Sequence, residues 1–140
     1  MKIDRVVYKY IEYELYHYEQ YKEEIELERE KILEESSAPS DGMPKGNITG
    51  NPTESKVIKL IESTAMLSMQ KIIMAVDNTL KQLSPTHEQI FKMYYIQKRK
   101  DRYKMCDELH ISNETFKRYK RAIIVRVGQE LGILNMLTQS

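Results

Sequence analysis

Between Met105 and Tyr119 the chain reads MCDELHISNETFKRY, which sets amide, hydroxyl and cationic side chains at spacings suited to gripping a polyanion. A helix that begins at Ser112 directs Asn113, Thr115, Lys117, Arg118 and Arg121 away from the apolar Phe116 and Tyr119. Asn and Arg hydrogen-bond base edges in the DNA major groove, whereas Lys and Arg also hold phosphates. The first turns of such a helix supply most base contacts. Asn113, Thr115, Lys117 and Arg118 are therefore the candidate base readers. Lys98, Arg99, Lys100, Ser112, Lys120 and Arg121 are the candidate phosphate contacts. On this reading Arg118→Ala alters sequence preference, and Lys120→Ala weakens binding to every sequence alike.

Other chemistry finds no support. His17, His87 and His110 are scattered and the chain has one cysteine, Cys106, so no metal-ligand spacing exists. Cys106 reads as a small core residue, not a nucleophile. No glycine loop able to cradle phosphates and no triad of catalytic type occurs. The expectation is a non-enzyme without metal or cofactor.

The elements that must position these residues follow from apolar spacing. Met105, Cys106 and Leu109 share one face of a short helix. Ile111 falls in a turn, and Phe116 with Tyr119 lies on the next helix, so all can meet in one small core. His110 occupies the turn position that often takes a positive φ. Ser112 stands where an N-cap is needed, and Glu114 suits the positive end of the helix dipole. Upstream, Ser84-Pro85 starts a helix that runs to about Tyr95, with Ile90, Phe91, Met93 and Tyr94 on its core side; the basic run Gln97 to Lys100 breaks it.

The remaining chain is also helical in pattern. Residues 3–35 lack Gly and Pro and favour one long helix, with Val7, Ile11, Leu15, Tyr18, Ile25 and Ile32 on one stripe. Six of the ten tyrosines fall between Tyr8 and Tyr21 and widen that apolar face, which suggests a second packing partner such as another subunit. Residues 36–53 hold three of the four prolines and three of the five glycines and read as a flexible linker. In the helix of 54–83, Val57, Ile61, Ala65, Met69, Ile72, Val76, Leu80 and Leu83 form one face, while Ile58, Met66, Ile73 and Met74 form a second. The fold class is all-α. Its units are an acidic, Tyr-rich helical arm (1–35), the linker (36–53), a second long packing helix (54–83) and a C-terminal helix-turn-helix domain (84–140).

Charge divides along the same lines. The formal net charge is +1, yet residues 1–35 carry eleven Asp/Glu against six Lys/Arg, and residues 84–140 carry eleven Lys/Arg against six Asp/Glu. An anionic partner is thus expected for the C-terminal part alone. No apolar run approaches the length of a membrane span, and no leader of secretory type is present, so a soluble protein of the bacterial cytoplasm and nucleoid is expected.

The run around Asp107 resembles the helix-turn-helix of sigma-factor region 4. The whole chain resembles the RinA/ArpU-type phage transcriptional activators of Gram-positive bacteria. The residues that carry the likeness are Glu14-Leu15-Tyr16 with Tyr18, Pro52-Thr53 with Lys56, Asp107 to Ser112, Thr115-Phe116 and Leu131-Gly132. Arg102 departs from the pattern, which has an apolar residue there; Tyr103 is the neighbour able to cover that gap. The resemblance implies activation of late phage genes by binding double-stranded DNA near a promoter and assisting host RNA polymerase. Homo-oligomers through the N-terminal helices would accompany this. A small terminase subunit that packages phage DNA and a sigma-like factor are the alternatives.

Overall fold

The computed structural model describes residues 3–37 and 52–134, all helical or in short turns. Six α-helices follow one another: α1 (Arg5–Tyr16), α2 (Tyr18–Ser37), α3 (Pro52–Gln82), α4 (Pro85–Phe91), α5 (Arg102–Leu109) and α6 (Asn113–Glu130), with a π-helical turn, Lys92–Ile96, prolonging α4. The all-α expectation holds. Of the linker expected over 36–53, Ser36 and Ser37 end α2, Pro52 and Thr53 begin α3, and the rest lies outside the described residues.

The single helix expected over residues 3–35 is divided at His17. The His17 Nδ1–H bonds the Tyr13 carbonyl at 2.8 Å, taking the acceptor that the His17 backbone N–H would use in a continuous helix. That N–H turns instead to the Glu14 carbonyl at 3.2 Å, and the ring lies between Tyr13 and Tyr21. The helix restarts at once. Ile11, Leu15, Tyr18 and Ile25 of the expected stripe are buried, whereas Ile32 is exposed.

α2 packs beside α3. The Tyr18 hydroxyl donates to Asp77 Oδ1 at 2.5 Å, and Ile25 and Arg29 line the same groove as Gln70 and Ile73. From Met69 onward the expected face of α3 is realised, with Ile72 and Val76 buried and Leu80 and Leu83 packed against the core; Ala75, which was not part of that face, is buried as well. Ala65 is exposed, and Val57, Ile58 and Ile61 lie outside the described side chains. The second strip is only half used: Ile73 packs, but Met74 is 63% exposed.

One buried cluster joins distant parts of the chain. Ile11 and Leu15 of α1 share it with Val76 of α3, Ile90 and Phe91 of α4, Tyr95, Met105 of α5, and Phe116, Ile123, Ile124 and Val127 of α6. Gly128 permits the closest approach, because a Cβ there would lie 2.8 Å from Ile11 Cδ1 and 3.0 Å from Leu134 Cδ1. Residues of the acidic arm therefore form part of the core on which α6 rests. The Arg126 guanidinium also donates to Gln82 Oε1 at the end of α3.

Local signals set the helix ends that matter. Ser84 caps α4, accepting from the His87 N–H at 3.4 Å, while the Ser84 N–H donates to His87 Nδ1 at 3.2 Å. The His87 ring stacks on Tyr119 at 4.0 Å, so this cap also ties α4 to α6. Burial holds the His87 imidazole below its usual pKa of 6.5. The folded state thus favours the neutral ring, whose Nδ1 can accept. That stability is present above pH 6.5 and is lost as pH falls through the lower, folded-state value. Thermal melts should therefore decline between pH 7 and pH 5, and His87→Gln should flatten this component of the decline; an unaltered pH profile in the variant would rule it out.

Candidate nucleic-acid interface

The turn between α5 and α6 forms as its residue types direct. His110 adopts φ 56°, ψ 44°, the left-handed conformation that ends α5. The Ile111 N–H then donates to the Cys106 carbonyl at 3.0 Å, and Ser112 Oγ caps α6 by accepting from the Thr115 N–H at 3.1 Å. Met105, Cys106 and Phe116 are buried beneath the turn, with Leu109, Ile111 and Tyr119 packed around them. At the far end of α6, Gly132 takes φ +76°, where an L side chain would be strained.

The face away from this core carries exposed Lys117, Arg118 and Arg121, the last standing three and four residues beyond the adjacent pair along α6. Asn113 stands at the head of the same helix, half-buried, its Oδ1 accepting from Arg102 Nη1 at 3.2 Å. Arg118 lies 5.8 Å from the Tyr119 ring centroid. Lys98 and Lys100 are exposed in the loop before α5, where Lys98 adopts φ 55°. Asn113, Lys117, Arg118 and Arg121 are thus brought onto one solvent-facing surface.

Four other sequence-derived candidates are engaged inside the protein. Thr115 is half-buried and its hydroxyl accepts from Ser112 Oγ at 2.9 Å, so both hydroxyls serve the helix cap. Arg99 is forked between two carboxylates, with Nη2 to Asp101 Oδ2 at 2.6 Å and Nη1 to Glu108 Oε2 at 2.7 Å. Its hydrogen bonds hold the carboxyls of Asp101 and Glu108 below their usual values. This brace fixes the basic loop against α5.

Lys120 turns inward. Its Nζ pairs with Glu12 Oε2 at 2.9 Å, with 16% and 19% of the two side chains exposed, and lies 4.1 Å from the Tyr94 ring centroid. The Tyr95 hydroxyl donates to the same Glu12 oxygen at 2.9 Å. Burial pulls the Lys120 ammonium down, but its bonds to Glu12 and Tyr94 outweigh this and leave its pKa raised. Burial, and then Glu12, push the Tyr95 phenol well up. Lys120 is therefore a charged tie between α1 and α6.

Sequence reasoning missed this tie because Glu12 lies more than a hundred residues from Lys120 and looks like any other glutamate of an acidic helix. The π-helical turn was equally silent. Its Gln97 N–H donates to the Lys92 carbonyl at 2.8 Å, and Phe91 and Tyr95 reach the core while Tyr94 lies between Tyr16 and Phe116. Arg102 is resolved differently from its reading as a packing gap: its side chain is exposed and bonds Asn113, so no gap needs covering. Tyr103 is 78% exposed. Among the described residues no group of His, Cys, Asp and Glu could hold a metal ion, and no helix is long and apolar enough to cross a membrane.

Fold and surface define an all-α protein that presents a cationic helix face beside a capped turn. Over 125 residues the chain is 28% identical to the Transcriptional activator rinA of Staphylococcus phage phi11, and the alignment covers 87% of this chain and 88% of the phage protein. The chain is thus related to the RinA-type activators, as the motifs along its length had indicated. No family model matches the chain, and no solved structure matches it.

Proposed function

We propose that this protein is a sequence-specific, DNA-binding transcriptional activator of phage or prophage late genes that acts with host RNA polymerase. The observation that carries the reading is the outward face of α6, where Asn113, Lys117, Arg118 and Arg121 stand together on a helix braced from behind by the core. In this reading α5 and α6 are a helix-turn-helix of the sigma region-4 kind. α6 enters the major groove, Asn113, Lys117 and Arg118 read base edges, and Lys98, Lys100 and Arg121 hold flanking phosphates. Similarity to a phage activator along most of the chain supports the regulatory role.

The α2–α3 pair serves subunit association in this scheme. Leu27, Ile32 and Leu33 of α2 and Leu67 and Met74 of α3 are all exposed. Light scattering separates the two phage roles that such a face allows: a monomer or dimer fits an activator, and a large ring would favour a packaging subunit.

Binding to promoter fragments and to an unrelated duplex, measured across salt, tests the assignment. Arg118→Ala should lower discrimination between the two about tenfold, a loss at the lower end of the ~1–3 kcal/mol expected for a bidentate base contact. Lys100→Ala should weaken both alike and reduce the salt slope by about one. Equal affinity of the unaltered protein for every duplex at moderate salt would sink the sequence-specific reading.

A further inference from the structure

Beside the outward face of α6 the surface falls into a cleft of about 390 Å³. Three helices wall it: Tyr8 comes from α1, Arg102 from α5, and Lys117 and Arg121 from α6. Lys120, Phe116 and Tyr94 complete the lining. The Glu12 carboxylate, which acts on Tyr8, is held by the Lys120 ion pair and the Tyr95 hydroxyl. Arg102, Lys117 and Arg121 bring cationic groups to the cleft, with the Tyr8 and Tyr94 phenols beside them. The Tyr8 phenol feels Lys120 and Arg121 directly, both of which counter the effect of burial on it.

We propose that this cleft seats one DNA backbone phosphate, with Tyr8 of the N-terminal helix donating to it alongside Arg102 and Arg121. The inference rests on the DNA-binding reading above and adds a contact surface that the basic C-terminal segment alone does not contain. A tetrahedral phosphate suits a forked guanidinium on one side and single donors on the others. The position adjoins the head of α6, where base edges would lie. Arg102 already bonds Asn113, so a phosphate on the Arg102 guanidinium also fixes the orientation of the first base reader. α1 thus contributes its neutral Tyr8 edge to the nucleic acid, and its Glu12 is silenced by Lys120.

The test uses the full chain with Tyr8→Phe and Arg102→Ala, titrated against a promoter duplex and an unrelated duplex at several salt concentrations. Tyr8→Phe keeps the ring and its packing, so circular dichroism melts should match those of the unaltered protein. It should weaken both duplexes about tenfold with no change in salt slope, because it removes a neutral donor to a charged group. Arg102→Ala should weaken both and lower the slope by about one. If Lys100→Ala and Arg118→Ala impair binding while Tyr8→Phe and Arg102→Ala do not, the cleft proposal is overturned and the DNA reading survives. If the unaltered protein binds no duplex, both fall. A second arm compares melts in inorganic phosphate and in chloride at equal ionic strength. No difference is expected for a backbone-phosphate seat; stabilisation by phosphate that Arg102→Ala abolishes would assign the cleft to a free anion instead.

Discussion

Replacing Ile11 by Ala should destabilise the whole protein by about 2–5 kcal/mol, the range for truncating a fully buried aliphatic side chain. Ile11 is entirely buried, and its Cδ1 lies against Gly128 of α6. The gap left behind is flanked by a helix crossing that Gly128 keeps tight, so local collapse has little room to fill it. A residue in the N-terminal segment should therefore control the melting of the C-terminal segment. Chemical denaturation followed by far-ultraviolet circular dichroism reads this directly, and the loss should appear as one cooperative transition. Two separate transitions, with only the first shifted, would show that α1 and α6 do not share a core.

Lys120→Ala should have the second largest effect, and in a different observable from the one its sequence context suggests. Removing one member of a buried ion pair costs about 3–5 kcal/mol, and the residual exposure of Lys120 and Glu12 lowers the expectation to about 2–3 kcal/mol. The stranded Glu12 carboxylate would retain the Tyr95 hydroxyl but lose its cation. Glu12→Gln combined with Lys120→Met should recover part of the loss, because no unpaired charge then remains. At a temperature where the variant stays folded, the salt slope of DNA binding should equal that of the unaltered protein. A slope reduced by about one with unchanged stability would return Lys120 to the phosphate contacts of the sequence-based reading.

These two residues show how far the sequence was legible. The α5–α6 turn was readable in detail because its determinants are local. His110 at positive φ, the Ser112 cap and the burial of Met105, Cys106 and Phe116 all depend on residues within a dozen positions. The start of α4 was readable for the same reason, since Ser84 and Pro85 act on the turn that follows them, whereas its passage into a π-helical turn after Phe91 was not. The break at His17 was not, because helix propensity describes an average residue and the break depends on one imidazole capturing one carbonyl. Exposure along α3 was legible only in part: spacing marks which residues share a face, and it does not say how far along the helix a partner extends.

The outward cationic surface follows the same division. Lys117, Arg118 and Arg121 project from α6 because Phe116 and the apolar residues after it face the core, and helical geometry alone requires that. Sequence by itself thus determined an all-α chain, its local caps and turn, the asymmetry of its charge and the likeness to phage activators. Only tertiary structure decided which of the other cations are drawn into ion pairs. Arg99 and Lys120 are drawn to carboxylates, Glu108 and Glu12, that the fold brings to them, whereas Lys117 and Arg118 are left facing solvent. The physical reason is that an ion pair depends on distance in space, and only the folded chain sets the separation between α1 and α6.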